Sequence, residues 1–183
     1  VKTYGHPSKF GHKDFIPLFK AEKFDANEWA EIFKKSGAKF AGPVAEHHDG
    51  FSMWNSKVNP WNAAKMGPKH DVVGELEKAI RGQGMRFVAT FHHAANWWFF
   101  PVWDERYDWD NHENTGFYVR PHADGERPDS EFLAKWRDKI FEVIDSYSPD
   151  LIWFDFGLGR IQERYRKEML AYYYNKAEEL GKE

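Results

Sequence analysis

Three times in this chain an amphipathic helix pattern runs, within a few residues, into a short and nearly unbroken apolar stretch. That alternation limits the fold more than any other feature. Asp25-Ala-Asn-Glu28 has the acceptor, and the carboxylate three residues on, of a capping box; Trp29, Ile32 and Phe33 follow at helical spacing. The pattern predicts a helix over roughly 26–36, stopped by Gly37, and then a strand near 39–46. Pro43 sits awkwardly in that strand because proline lacks a ladder donor. Asp71 caps a second helix carrying Val72, Val73, Leu76 and Ile80, which ends at Gly84 before a strand near 85–91. The third helix lines up Phe132, Trp136, Ile140, Val143, Ile144 and Tyr147, and leads through Pro149 into a strand near 150–155. A last helix, about 161–180, presents Ile161, Tyr165, Met169, Tyr173 and Leu180. Apolar strands separated by helices imply an α/β fold: a parallel sheet with helices packed on it and strands adjacent in sequence order.

The connections are unequal. Helix to strand takes a few residues, whereas strand to helix takes roughly 47–70 and 92–128. Such asymmetry belongs to barrels and doubly wound sheets, whose working sites lie at the C-terminal ends of the strands. Those positions hold His47, His48 and Asp49, then His92 and His93, then Asp155. The polar stretch 104–114 reads as mobile.

Glu46-His-His-Asp-Gly-Phe51 places two imidazoles, a carboxylate and a turn glycine after a buried strand. Such a group suits hydrogen bonding to a ligand hydroxyl, proton transfer or metal binding, and equally the satisfaction of loop carbonyls. No metal site is expected. Adjacent strand residues point to opposite faces, so His47 and His48 should not share an ion unless the strand has ended, and no His-x-His or His-Glu-x-x-His occurs. His92-His93 would bring a second pair of imidazoles beside the first. Asp155 ends the most apolar strand, where a charge is costly unless it is paired or working. It either caps the next helix or pairs with Arg160, or it is a nucleophile or base, with Trp153 on the same side as an apolar platform.

Composition removes several classes. With 26 Lys+Arg against 29 Asp+Glu there is no general basic surface for nucleic acid or an anionic membrane. The absence of cysteine excludes disulfides, thiol catalysis and thiolate metal sites. No run approaches the ~18 apolar residues of a membrane span. The first residues lack the apolar stretch of a signal peptide, and a start at Val1 with an end directly after a helix suggests a piece of a longer protein.

The residues also carry a resemblance. Asp14-Phe-Ile-Pro-Leu-Phe-Lys-Ala-Glu-Lys-Phe-Asp25, Ala38-Lys-Phe-Ala-Gly-Pro-Val-Ala-Glu-His-His-Asp-Gly-Phe51 with Trp54, Trp61-Asn-Ala-Ala-Lys-Met-Gly-Pro-Lys69 leading to Asp71-Val-Val-Gly-Glu75, and Asp150-Leu-Ile-Trp-Phe-Asp155 cover most of the chain. Together they resemble glycoside hydrolase family 29, the α-L-fucosidases. The resemblance implies a single incomplete (β/α)8 TIM-like barrel catalytic domain over 1–183, holding strands two to four of the parent. It also implies a retaining exo-glycosidase that uses no cofactor and acts on a fucosylated glycan, in a periplasmic or secreted parent. By the same resemblance Asp155 is the nucleophile, and His47, His48, Trp153 and either Phe91 or His92 contact the sugar. A retaining enzyme needs a second carboxyl group about 5 Å from the first. Glu46, Asp49 and Glu163 are the weak candidates for it within this chain. Two other classes stay open: a metal hydrolase with His47, His92 and Asp155 as ligands, and a non-catalytic carbohydrate-binding remnant.

Overall fold

The computed structural model describes residues 2–182, the side chains of Asp110 and His112 excepted. A sheet of four short parallel strands runs through it. β1 (Phe40–Ala41) and β2 (Val44–Glu46) lie end to end along one side of β3 (Arg86–Phe91), and β4 (Leu151–Phe154) lies along the other. The strand expected near 39–46 is therefore two strands. Gly42 and Pro43 interrupt it, and a Cβ built at Gly42 would lie 1.6 Å from the Val88 carbonyl oxygen. Only glycine lets the chain pass β3 that closely. Proline then follows without a donor for the ladder, and the register shifts between Val44 and Glu46. The expected order is observed, with the segment 40–46, β3 and β4 side by side and all parallel.

Helices fill the intervals where periodicity placed them. α1 (Ala26–Lys35) starts at Asp25, whose carboxylate accepts from the backbone N–H groups of Asn27 and Glu28. α2 (Val72–Gly82) starts at Asp71, which accepts from Gly74 N. The strand-to-helix connection after β3 contains two short helices, α3 (Asn96–Phe99) and α4 (Thr115–Tyr118), that have no period long enough to read in sequence. α5 (Ser130–Tyr147) is capped by Asp129 through Phe132 N, and α6 (Glu163–Glu179) closes the chain. The stretch 104–114 is folded: Trp109 is buried and donates to the Pro101 carbonyl, while Asp108 accepts from Lys13 Nζ at 2.6 Å.

The two faces of the sheet differ sharply. Phe87, Ala89 and Phe91 alternate toward the helices and are fully buried, with Phe91 against Phe154, and Phe154 against Trp136 of α5. On the opposite face Val44, Thr90 and Trp153 form one row across the three strands by register, and Trp153 is 55% exposed. Phe40 and Leu151 are exposed as well. One side is thus a packed α/β core, and the other is a bare apolar sheet.

Candidate active site

β2 stops pairing at Glu46, and residues 47–49 form a turn. The strand has thus ended before His47 and His48, the condition under which the two need not point apart. Outside a strand the period of two no longer applies, and their ring centroids are 4.1 Å apart. His92, immediately beyond β3, joins them, with its ring 4.6 Å from that of His47 and 5.7 Å from that of His48. Gly50 closes the turn at φ +81°, where a Cβ would meet the Phe117 carbonyl at 2.7 Å. Asp49 accepts from Phe51 N and lies 3.7 Å from the His12 imidazole, so it shapes the turn.

A buried polar cluster holds this turn. Glu46 is 0% exposed and accepts from Lys139 Nζ of α5 and from Ser52 Oγ, each at 2.5 Å; Asn59 in turn donates to Ser52 Oγ. On the other side Asn96 of α3 donates to the His48 carbonyl at 2.8 Å. Glu142, one turn along α5 from Lys139, accepts from Trp54 Nε1, Ser56 Oγ and Lys57 N. Glu46 is therefore a structural anchor and not a free acid.

His93 does not join the cluster, contrary to the expectation of two adjacent imidazole pairs. It is buried on the helix side, where its Nε2–H donates to the Trp136 carbonyl at 3.1 Å. Burial pushes its pKa down to about 4, with Glu46 opposing and Lys139 reinforcing the fall. Phe91 is buried in the core beside Trp54 and Phe154, which leaves His92 as the residue after β3 that faces the site. His48 and His92 are also pushed below the ordinary histidine range, by burial first and by their neighbouring imidazoles second; Asp155 pulls both the other way. His48 Nε2 and His92 Nδ1 have no hydrogen-bond partner among the described residues. Neutral imidazoles with a free ring nitrogen can donate to, or accept from, a hydroxyl group.

Asp155 stands at the tip of β4. Its carboxylate is half exposed and 3.9 Å from His92 Nε2. Neither structural duty considered for it is present: the turn and the helix that follow begin at Gly157 and Gln162, and Arg160 stacks on Trp98 at 4.7 Å instead. Trp153 lies on the open face beside Thr90, whose strand leads to His92; no ring contact joins it to the histidines among the described residues. Two aromatics at the site were not anticipated. Phe156 lies 4.6 Å from His48 and 5.7 Å from His92, and Phe99 lies 5.3 Å from His48. The signal for Phe99 was the aromatic run 97–100, four residues past the second histidine pair; Phe156 had none beyond its place next to Asp155.

One ring nitrogen from each of His47, His48 and His92 lies within 4.8 Å of the other two. Ligands of one zinc ion, each about 2.0–2.1 Å from it, would have to close up from that spacing, and no carboxylate belongs to the group. Of the remaining carboxylates considered, Glu163 is exposed on α6 and pairs with Lys167.

A parallel sheet flanked by helices, with a half-exposed carboxylate and a nest of imidazoles at the C-terminal ends of its strands, is a sector of a (β/α) barrel. The chain belongs to the α-L-fucosidase family, whose sequence model matches residues 1–182. It is 34% identical over 180 residues to plasma alpha-L-fucosidase of Homo sapiens, a match that covers 96% of this chain and 35% of that protein. It is 31% identical over 175 residues to alpha-L-fucosidase of Dictyostelium discoideum, covering 94% and 34%. Among solved structures it is similar to Thermotoga maritima alpha-fucosidase in complex with fucose, at 38% identity and a TM-score of 0.73, covering 96% of this chain and 38% of that one. The chain spans about a third of the length of these relatives.

Proposed function

We propose that this chain is the strand-two-to-four sector of a retaining exo-α-L-fucosidase, and that Asp155 is its nucleophile. The observation that carries the reading is Asp155 itself: a carboxylate at the end of an apolar strand, free of capping and of arginine, beside imidazoles with unsatisfied nitrogens. In the reaction the Asp155 oxygen attacks the anomeric carbon of α-L-fucose as the aglycone oxygen leaves and is protonated. Water then opens the glycosyl ester with net retention. His47, His48 and His92 would hold the sugar hydroxyls, and Trp153 or Phe156 would meet its apolar C–H face. The family, and a relative solved with fucose, support this assignment of the sugar.

The second carboxyl group is not among Glu46, Asp49 and Glu163, each already committed elsewhere. It belongs, in this reading, to another part of the parent, in keeping with relatives about three times as long. The chain alone is then expected to bind fucose weakly and to hydrolyse an aryl α-L-fucoside little or not at all. A secreted or periplasmic parent fits relatives that include plasma fucosidases, and no helix of the described residues is long and apolar enough to cross a membrane. The test is Asp155→Asn in the parent. Hydrolysis of an aryl α-L-fucoside should fall by several orders of magnitude with fucose binding retained, and azide should restore turnover with inverted product. Near-normal hydrolysis by the variant, or inversion by the unmodified enzyme, would reject the assignment. Asp49→Asn should act through stability or KM instead.

A further inference from the structure

Beside the histidine nest lies a second concavity, a cleft of about 910 Å³ between the connection that follows β3 and the start of α6. It lies a few residues along the chain from the candidate active site. Phe156, which touches His48 and His92, is followed by Gly157 packed on Ala94, and the short turn Leu158–Arg160 then forms one wall of the cleft. A saccharide whose fucose sat at the histidines would have this cleft within reach of its next residues.

The wall chemistry is unusual. Arg127, Arg160 and Arg166 all line the cleft, and none has a carboxylate partner among the described residues. Arg166 Nε is buried with no hydrogen bond at all, and Arg160 lies over the Trp98 ring at 4.7 Å. The cleft also receives the N-terminus of α6, a 17-residue helix whose Gln162 provides no side-chain cap, so its first N–H groups add positive potential. Carboxylates are present, but most are engaged: Glu126 pairs with Arg120 and Glu163 with Lys167, which leaves Asp124, exposed in a turn. Trp98 and Trp103 supply flat apolar faces of the kind that sugar rings lie against.

We propose that this cleft receives the part of the glycan beyond the fucose, and that it selects an anionic sugar bearing a sulfate ester or a carboxylate. The inference rests on the sugar-cleaving reading of the neighbouring histidine nest and adds the chemistry of the leaving group. Guanidinium groups match both anions with paired N–H donors, and stacking on Trp98 holds Arg160 ready for such a contact without tying up its donors.

The test is calorimetric titration of the whole chain at low and high salt with four probes. These are a neutral α-L-fucosyl-galactose, its sulfated form, a glucuronate-bearing α-L-fucosyl disaccharide, and a sulfated galactan tetrasaccharide without fucose. The sulfated or the uronate fucoside, or both, should bind roughly tenfold tighter than the neutral one, and the gain should shrink with salt. Which of the two gains identifies the anion. Combined Arg127→Ala and Arg160→Ala should abolish the gain while neutral binding and melting temperature stay unchanged, and Arg160→Lys should keep part of it. Equal affinity for charged and neutral fucosides, or a gain that survives the double variant, overturns the inference and leaves the fucose reading intact. Arginine-dependent binding of the sulfated galactan with no binding of any fucoside supports the anionic cleft and overturns the fucose reading. Failure of all four probes to bind overturns both.

Discussion

Glu46, directly before the histidine turn of the candidate site, forms a buried ion pair with Lys139. Such a pair adds little net stability over an apolar pair of equal volume, yet removing one partner strands the other charge at a cost of about 3–5 kcal/mol. Glu46→Gln or Lys139→Met should therefore lower stability in urea by roughly that amount, whereas the two together should recover a large part of it. A full loss in the double variant would mean that Glu46 matters through Ser52 alone. His93, buried next to this pair, gives a pH dependence of definite sign. Its unfolded form takes up a proton near 6.5, and its folded form only near 4. Between those values the unfolded chain holds more protons, so stability is complete above pH 6.5 and is lost as pH falls toward 4. At about 1.4 kcal/mol per pH unit the drop corresponds to roughly 3 kcal/mol, in the same direction as the smaller effects of His48 and His92. His93→Phe should flatten the acid limb of a plot of melting temperature against pH.

Element by element, what was legible in sequence was what depends on local pattern. The capping aspartates Asp25 and Asp71, the helix faces, the apolar strands and their order all follow from spacing that a single segment carries. What was illegible depends on a second segment. The break at Gly42-Pro43 is set by the Val88 carbonyl of another strand, and the convergence of His47 with His48 by where pairing with β3 stops. The burial of His93 comes from Trp136, and the loss of Glu46 as a candidate acid from Lys139. The four residues His47, His48, His92 and Asp155 were recognisable because each lies just past a strand, while Phe99 and Phe156 reach the site through loops without periodicity. The Gly42 contact is itself testable. A methyl group there must displace β3, so Gly42→Ala should destabilise the chain by about 1–3 kcal/mol, the usual cost of overpacking, measured by chemical unfolding. Gly82→Ala, which meets nothing within 4 Å, should not destabilise it.

For the whole molecule the decisive asymmetry is the sheet, packed on one face and bare on the other. Phe40, Leu151 and Trp153 form an apolar surface bordered, among the described residues, by the unpaired outer edge of β4, whereas the outer side of β2 is covered where Met53 N–H donates to the Ala45 carbonyl and Ser52 bridges Glu46. Exposed apolar patches of this kind drive association, and open parallel edges add to it. The chain produced alone should therefore sediment as concentration-dependent oligomers, and Phe40→Ser with Leu151→Ser should shift it toward monomer. A monodisperse monomer at high concentration would show that the face is better solvated than its composition suggests.

The clamp on the histidine turn also sets a timetable. Glu46 finds its lysine 93 residues further along the chain, and Trp54 and Ser56 find Glu142 at nearly the same distance. On a ribosome the segment 40–46 and β3 emerge, and can pair, well before α5 exists. The imidazoles then belong to a loop with nothing behind it, and its closing contacts span a long loop of chain. The pairing of the 40–46 segment with β3 is thus an early product of synthesis, and β4 and the histidine turn are late ones. Any cellular factor that recognises the unfinished protein meets the 40–46 segment already paired with β3 and the histidine turn beyond it still unset.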